Sequence, residues 1–276
     1  MSAADVRALI ACVVVGASAP MIGTFLVQKR LSLMGDGVGH VAYAGVGAGL
    51  LAGGGGWPVW MALAFAIVGA VGVEMLRARR KASGDLALAL FFYTGIALGA
   101  VFTSRLGKPS LDLESTKYLF GDPFLIRWGG VVAVTVGAAV IALAVLSLRR
   151  ALFAVVTDED WARVAGLPVN AVNMALAVVT ATVVVAGMRV VGILLIAALM
   201  VLPVASAQLV ARSFRSTLQI AVAIGAAAAA AGLAVGGALH VRPSGEGGVI
   251  VLTATAVFAV VAIAKRAVPQ VLTRVH

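Results

Sequence analysis

Nine long apolar segments, separated by short polar ones, run the length of this 276-residue chain. They fall at about residues 8–27, 31–53, 57–76, 85–104, 128–148, 170–188, 190–211, 217–240 and 247–264. Each approaches or exceeds the roughly 20 residues that a helix needs to cross the hydrocarbon core of a bilayer. Only Met188 and Arg189 separate the sixth segment from the seventh, so eight spans and a re-entrant piece would also explain the pattern. The pattern therefore predicts an all-α integral membrane protein, a polytopic helical bundle of 8–9 transmembrane helices.

The amino-acid composition also indicates that the chain is surrounded by lipid. Apolar residues make up 62% of the chain and charged residues 12%, and a soluble domain of this length could not bury so much apolar surface. The 32 glycines and many alanines favour helices packed through small faces over a barrel of alternating strands. Cys12 is the only cysteine, which excludes a disulfide within the chain. No polar stretch is long enough to join two domains, so residues 1–276 are expected to form a single transmembrane domain.

The basic residues predict an orientation. Clusters follow alternate apolar segments, at positions 29–30, 77–81, 149–150, 212–215 and 265–266, so all five can be cytoplasmic at once. This places the N-terminus outside and the C-terminus inside. The net charge of +10 is then a feature of membrane loops and not a nucleic-acid signal. Residues 105–127 are too polar to span and are expected to form a short interfacial helix on the outer side.

A carboxylate and an imidazole, Asp36 and His40, lie within the second apolar segment. They are four positions apart, so a helix places them on one face, one turn from each other. At about 1.5 Å per residue, His40 is expected roughly 13 Å into the segment, near the middle of the bilayer. Ionisable groups at that depth are costly and mark functional sites.

Carboxylate and imidazole both bind divalent transition metals, which makes Asp36 and His40 candidate metal ligands. Two ligands do not complete a site, since zinc usually takes four. Two copies of the chain that face each other across a pore would supply two ligands each. The alternative is an internal hydrogen-bonded pair that holds two helices together.

Glycine and proline modify two of the segments. Six glycines of the second segment, at positions 35, 37, 39, 45, 47 and 49, weaken its helix but allow another backbone or a partly hydrated ion to approach closely. Pro203 is expected to kink or break the seventh segment.

The polar stretch at residues 157–168 predicts a short cytoplasmic helix. Thr157 or Asp158 can cap its start, acidic residues fill its first turn, and Gly166 ends it. A capped amphipathic helix between two spans suits docking of a cytoplasmic partner, and an ordinary connecting helix is the alternative. The residues expected to form such a docking helix are Asp158, Glu159, Asp160, Trp161, Ala162, Arg163 and Gly166.

Weaker candidates lie near the ends of other segments. His240 and Glu246 flank an outer turn and could receive an ion, although solvated side chains are the simpler interpretation. Glu74 and Arg77 are three positions apart and are expected to form an ion pair.

Five motifs together carry a resemblance to a known family. They are Ser-Leu-Met-Gly-Asp…His at 32–40, Tyr-Leu-Phe-Gly-Asp at 118–122, Asp-x-x-x-Ala…Gly at 158–166, Gly-Ile-Leu-Leu…Pro-Val-Ala at 192–205 and Pro-Ser-Gly…Ile-Val-Leu at 243–252. In this order the chain resembles, nearly end to end, the membrane permease of the ABC importers for zinc and manganese, the ABC-3 family. The fold implied is that of a type II ABC importer in the cell (inner) membrane.

The resemblance also implies partners and roles. Two permease subunits would pair and dock two cytoplasmic ATPase subunits, and an extracytoplasmic binding protein would deliver the ion. Asp36 and His40 would hold the ion in the translocation path, and residues 158–166 are similar to the coupling helix that enters a cleft on the ATPase. The chain needs no cofactor of its own in this interpretation, and it has no G-x-x-x-x-G-K-[ST] sequence with which to bind ATP. The imidazole favours zinc as the transported metal, while the carboxylate keeps manganese open and iron is possible.

Two rival interpretations remain at this point. A secondary transporter could use Asp36 and His40 as a proton relay. A membrane scaffold without transport could use the pair for structure alone.

Overall fold

The computed structural model describes residues 2–79, 84–107, 109–240 and 245–267, and within these ranges the chain is helical without any β-strand. A 3-10 turn, Pro123–Leu125, lies between the fifth and sixth of the described helices. The α-helices are α1 (Ala3–Gln28), α2 (Met34–Leu51), α3 (Trp57–Ala78), α4 (Gly84–Ser104), α5 (Pro109–Phe120), α6 (Trp128–Thr157), α7 (Glu159–Val164), α8 (Val169–Gly187), α9 (Ile193–Val210), α10 (Phe214–Ala238) and α11 (Glu246–Ala267).

Seven helices in the described part of the chain are long and apolar enough to cross a membrane, namely α1, α3, α4, α6, α8, α10 and α11. The predicted class, an all-α polytopic membrane protein, is confirmed, and the expected count of eight or nine spans is slightly high. The two predicted segments that are not among these seven, α2 and α9, nevertheless form helices. Helix α2 contains Asp36, His40 and six glycines, which lower its apolar content. Helix α9 begins at Ile193, later than predicted, and is apolar but short.

Helix α2 is the central helix of one part of the bundle. It packs mainly against α3 and α4, with further contacts to α8 and α9. Its glycines allow this close packing: a Cβ at Gly45 would lie 2.7 Å from the Cα of Ala62 in α3, and one at Gly35 would lie 3.1 Å from Sδ of Met200 in α9. The prediction that the glycines admit another backbone is therefore confirmed for α3.

Two helices differ from their predicted limits. Helix α6 continues to Thr157, well beyond the predicted end at residue 148, and passes through Arg149 and Arg150. At about 1.5 Å per residue its length is roughly 45 Å, which exceeds the hydrocarbon thickness by about 15 Å. Helix α9 runs continuously through Pro203, so this proline does not break it.

The two motifs at 118–122 and 192–205 meet at their glycines. Gly121 and Gly192 both have left-handed backbone, with φ of 76° and 97°. A side chain on Gly192 would collide with the backbone of Phe120 and Gly121, and one on Gly121 would lie 2.5 Å from the carbonyl carbon of Val191. Each motif thus requires glycine for conformation and for contact. This contact brings the end of α5, the interfacial helix predicted within residues 105–127, against the start of α9.

The opposite end of the bundle, which we call the α7 end, brings distant parts of the chain together. Lys29 follows α1, Arg77 lies in the last turn of α3, Glu159 begins α7, and Asn173 lies in the first turns of α8. Their side chains are in contact, as described below. Lys29 and Arg77, which belong to two basic clusters predicted to share the cytoplasmic side, therefore lie at the same end of the bundle.

Candidate functional site

Asp36 and His40 are adjacent on α2, as their spacing predicts. His40 Nε2 lies 3.7 Å from Asp36 Oδ1, so the two groups are close without forming a short hydrogen bond. The side chain of His40 is 14% exposed and that of Asp36 is 33% exposed. The pair is thus accessible along one strip of a helix whose remaining residues are mostly buried.

Helix α4 holds the imidazole in position. The ring of Phe92 meets the His40 ring edge to face, with centroids 4.5 Å apart. One turn further along α4, Gly95 lies against the His40 backbone, where a Cβ would be 2.7 Å from the carbonyl carbon of His40. The aromatic ring packs against the imidazole, whose Nε2 remains 3.7 Å from Asp36 Oδ1.

The pair lies nearer to the helix start than predicted. Helix α2 begins at Met34 and not at residue 31, which places His40 six residues, or about 9 Å, from its first residue. The turn at 32–33 replaces the start of the apolar segment. Asp36 consequently lies in the first turn of α2, where the positive end of the helix dipole favours a carboxylate.

The described residues of one chain bring two candidate metal ligands together at this place. No group of three or more His, Cys, Asp or Glu side chains that could hold a metal ion is found among them. Asp36 and His40 therefore offer a carboxylate oxygen and an imidazole nitrogen, and any further ligands have to come from elsewhere.

The second candidate region, residues 158–166, forms the short helix that the sequence predicts. Asp158 is the N-cap, and its Oδ1 accepts a hydrogen bond of 2.9 Å from the Trp161 backbone N–H. Gly166 follows the helix with φ of 81°. The helix has two faces: Trp161 and Val164 are 62% and 89% exposed, while Ala162 is fully buried.

Glu159 belongs to the inner face of α7. Its Oε2 lies 3.3 Å from Lys29 Nζ and 3.5 Å from Arg77 Nη2, and its Oε1 accepts a hydrogen bond of 3.3 Å from Asn173 Nδ2. Lys29 Nζ also donates to Asn173 Oδ1, and Arg77 is paired with Glu74 at 3.0 Å, as predicted. Burial lowers the pKa of the Lys29 ammonium, and the Glu159 carboxylate opposes that shift.

Sequence reasoning missed the role of Lys29 and Asn173. Lys29 lies in a basic cluster that indicates only orientation, and Asn173 carries no charge. Their partner Glu159 is 130 residues from Lys29 along the chain, so no local pattern joins them. The remaining members of the predicted docking set, Asp160 and Arg163, are exposed, and Arg163 Nη2 lies 3.6 Å from Glu159 Oε1.

The two weaker candidates at the other end differ from each other. His240 ends α10 in an exposed turn with a left-handed φ of 51°. Glu246 begins α11 and is 2% exposed, and its Oε2 has no hydrogen-bond partner in the structure described. The solvated interpretation is therefore wrong for Glu246. Gly236 of α10 packs directly against its carboxylate.

Comparison with known proteins gives concordant matches. A model of the ABC 3 transport family matches residues 3–265. The manganese import system permease protein ScaB of Streptococcus gordonii is 29% identical over 260 residues, which cover 92% of this chain and 88% of that protein. A probable iron transport system membrane protein of Haemophilus influenzae is 27% identical over 218 residues, which cover 79% of this chain and 78% of that protein. The solved structure of PsaBC from Streptococcus pneumoniae in complex with Fab superposes with a TM-score of 0.80 at 29% identity, covering 92% of this chain and 89% of that chain.

The long apolar helices packed with α2 define a multi-pass membrane protein, and its relatives place it in the cell (inner) membrane. The family match extends over nearly the whole chain. The chain belongs to the ABC 3 transport family, which confirms the resemblance inferred from its five motifs.

Proposed function

We propose that this protein is the membrane-spanning permease subunit of an ATP-driven importer of a divalent transition metal. The observation that carries the proposal is the Asp36–His40 pair, which is accessible along one strip of α2 in a chain of the ABC 3 transport family. The ion is the transported substrate. It would be captured transiently by Asp36 and His40, because a site that held it too tightly would not release it.

The partners follow from the same proposal. ATP hydrolysis belongs to a separate cytoplasmic ATPase subunit that docks on the exposed face of α7, and an extracytoplasmic protein delivers the ion. A second copy of the permease domain would complete the site across the translocation path, since each chain supplies two ligands. ATP-driven rocking of the two copies would then expose the pair to one side of the membrane after the other.

Manganese is the first ion to test. The imidazole alone favours zinc, but the relatives described above are named for manganese and iron transport. A carboxylate and an imidazole from each of two chains form a mixed oxygen and nitrogen ligand set that is compatible with all three metals.

Uptake by reconstituted proteoliposomes tests the proposal. The permease, its partner ATPase and the binding protein are expected to accumulate Mn²⁺ only when ATP is hydrolysed, and competing Zn²⁺ and Fe²⁺ establish the preference. Uptake that persists with an inactive ATPase but is abolished by dissipating the proton gradient would instead identify a secondary transporter. Absence of uptake for all three ions would leave only the scaffold interpretation.

The same assay tests the ligand assignment. Asp36→Asn and His40→Ala are each expected to lower the rate of Mn²⁺ uptake by about tenfold or more, because even the loss of a supporting group at a metal site costs about 10–100-fold. Asp85→Asn is the matched control, since Asp85 is an exposed carboxylate at the start of α4. Wild-type uptake by a stably expressed Asp36→Asn protein would disprove the assignment.

A further inference from the structure

The carboxylate of Glu159 connects α7 to three other helices. Its contacts reach Lys29 at the end of α1, Arg77 at the end of α3 and Asn173 at the start of α8, at 3.3 to 3.5 Å. No other side chain of α7 forms an ion pair outside its own helix among the described residues.

The contacts with Lys29 and Arg77 join α7 to helices that are not its neighbours along the chain. The backbone of α7 packs mainly against its two chain neighbours, α6 and α8, and Ala162 is its one fully buried residue within the described structure. The Lys29 side chain is 5% exposed and that of Glu159 is 34% exposed, so the pair is buried on the Lys29 side and partly open to water on the Glu159 side. Ion pairs in such surroundings are screened less than surface pairs, and removing one partner leaves a buried charge without compensation.

Lys29 is joined to the candidate metal site by a short, well-ordered turn. Leu31 N–H donates to Leu26 C=O at 2.8 Å and Arg30 N–H to Val27 C=O at 3.1 Å, the hydrogen bonds of a Schellman motif. Arg30 has the left-handed φ of 59° that this motif requires. Helix α2 starts five residues after Lys29, and Asp36 lies in its first turn.

We propose that Glu159 is a positioning residue that transmits the movement of α7 to the ends of α1, α3 and α8, and through the turn after Lys29 to the helix that carries Asp36 and His40. The inference rests on the proposed function, in which an ATPase moves α7. The two faces of α7 then differ in function. Trp161 and Val164 contact the ATPase, and Glu159 couples a displacement of α7 to α1, α3 and α8. Such a contiguous set of contacts is a physical route for coupling, provided that its loss separates the two activities.

The test measures Mn²⁺ transported per ATP hydrolysed in the same proteoliposomes. Glu159→Gln keeps the shape of the side chain and removes its charge. It is expected to co-purify with the ATPase as the wild type does, to hydrolyse ATP, and to show about a fivefold lower ratio of transport to hydrolysis, within the range expected for positions along a coupling route. Trp161→Ala, on the opposite face, is expected to weaken co-purification with the ATPase instead. Asp85→Asn is the control for a lost carboxylate and should keep the wild-type ratio.

Each outcome is decisive. A wild-type ratio in Glu159→Gln would overturn the inference, and so would loss of ATPase co-purification, which would place Glu159 on the docking surface. If Glu159→Gln does not fold, Lys29→Gln removes the other partner of the same ion pair. A wild-type ratio of Mn²⁺ transported to ATP hydrolysed in that variant would overturn the inference, and a lowered ratio would support it. Failure of the wild-type complex to bind the ATPase or to transport Mn²⁺ would reject the proposed function and is distinguishable from all of these results.

Discussion

At the scale of residues, two buried glutamates differ in their partners. Glu74 is 3% exposed, and its Oε2 is 3.0 Å from Arg77 Nη1. Glu246 is 2% exposed, and its Oε2 has no hydrogen-bond partner in the described structure. A buried polar group without a partner loses its hydration and gains nothing in return. The same substitution is therefore expected to have opposite effects at the two positions.

Glu74→Gln is expected to lower the free energy of unfolding by about 1–3 kcal/mol, because it removes the buried partner of Arg77. Glu246→Gln is expected to raise it by up to about 1 kcal/mol, because a neutral amide is cheaper to bury than a carboxylate whose Oε2 has no hydrogen-bond partner among the described residues. Thermal unfolding of the purified variants in one detergent measures both. Destabilisation of the protein by Glu246→Gln would indicate that this carboxylate has a stabilising partner.

Contacts between residues close in the sequence were predictable, and contacts between distant residues were not. The spacing of Asp36 and His40 was sufficient to predict their proximity, because i and i+4 positions are neighbours in any helix. The pair Glu74 and Arg77 was predictable for the same reason. The contact of Lys29 with Asn173 was not, since 144 residues separate them and only packing of α1 against α8 brings them together.

At the scale of elements, the glycines of α2 differ in how closely a neighbouring helix approaches them. A Cβ at Gly45 would lie 2.5 Å from the Met61 carbonyl oxygen and 2.7 Å from the Ala62 Cα, both in α3. A Cβ at Gly37 would lie 3.7 Å from its nearest neighbour, the Leu88 carbonyl oxygen, which is an ordinary contact. Gly45 is therefore needed for the approach of two backbones, and Gly37 is not.

Gly45→Ala is expected to destabilise the protein by about 1–3 kcal/mol, since α3 has to move away from α2. Gly37→Ala is the matched control on the same helix and is expected to be neutral or to stabilise it by about 0.5–1 kcal/mol, because alanine favours a helix. Thermal unfolding and the yield of monodisperse protein report on both. Equal behaviour of the two variants would show that α2 and α3 are not held at this distance.

The boundary between α6 and α7 was not predictable from the apolar pattern of the sequence. Arg149 and Arg150 end an apolar segment, but they do not end a helix, because arginine is a good helix former and its charge can extend to water. The helix ends instead where Asp158 adopts extended backbone and caps α7. Because α6 extends to Thr157, α7 lies where the Glu159 side chain contacts Lys29.

At the scale of the whole molecule, the accessible Asp36–His40 pair predicts a stoichiometry. If two chains complete one site, the purified complex should bind one Mn²⁺ ion for every two permease chains. Metal analysis with elemental mass spectrometry, on protein dialysed against dilute Mn²⁺, measures this ratio, and the Asp36→Asn variant should retain almost none. One ion per chain would instead mean that each chain builds a complete site by itself.

The all-helical membrane class, the places of most helices and the two residues that share a face of α2 were all predictable from the sequence. These properties depend on segment length, apolar composition and helical periodicity, all of which are local. Packing was needed to show that Glu159 contacts Lys29 while Trp161 is exposed, that Glu246 Oε2 is buried without a hydrogen-bond partner among the described residues, and that Gly45 rather than Gly37 limits the approach of α3. These properties depend on contacts between segments far apart in the chain, and such contacts exist only after the helices have packed.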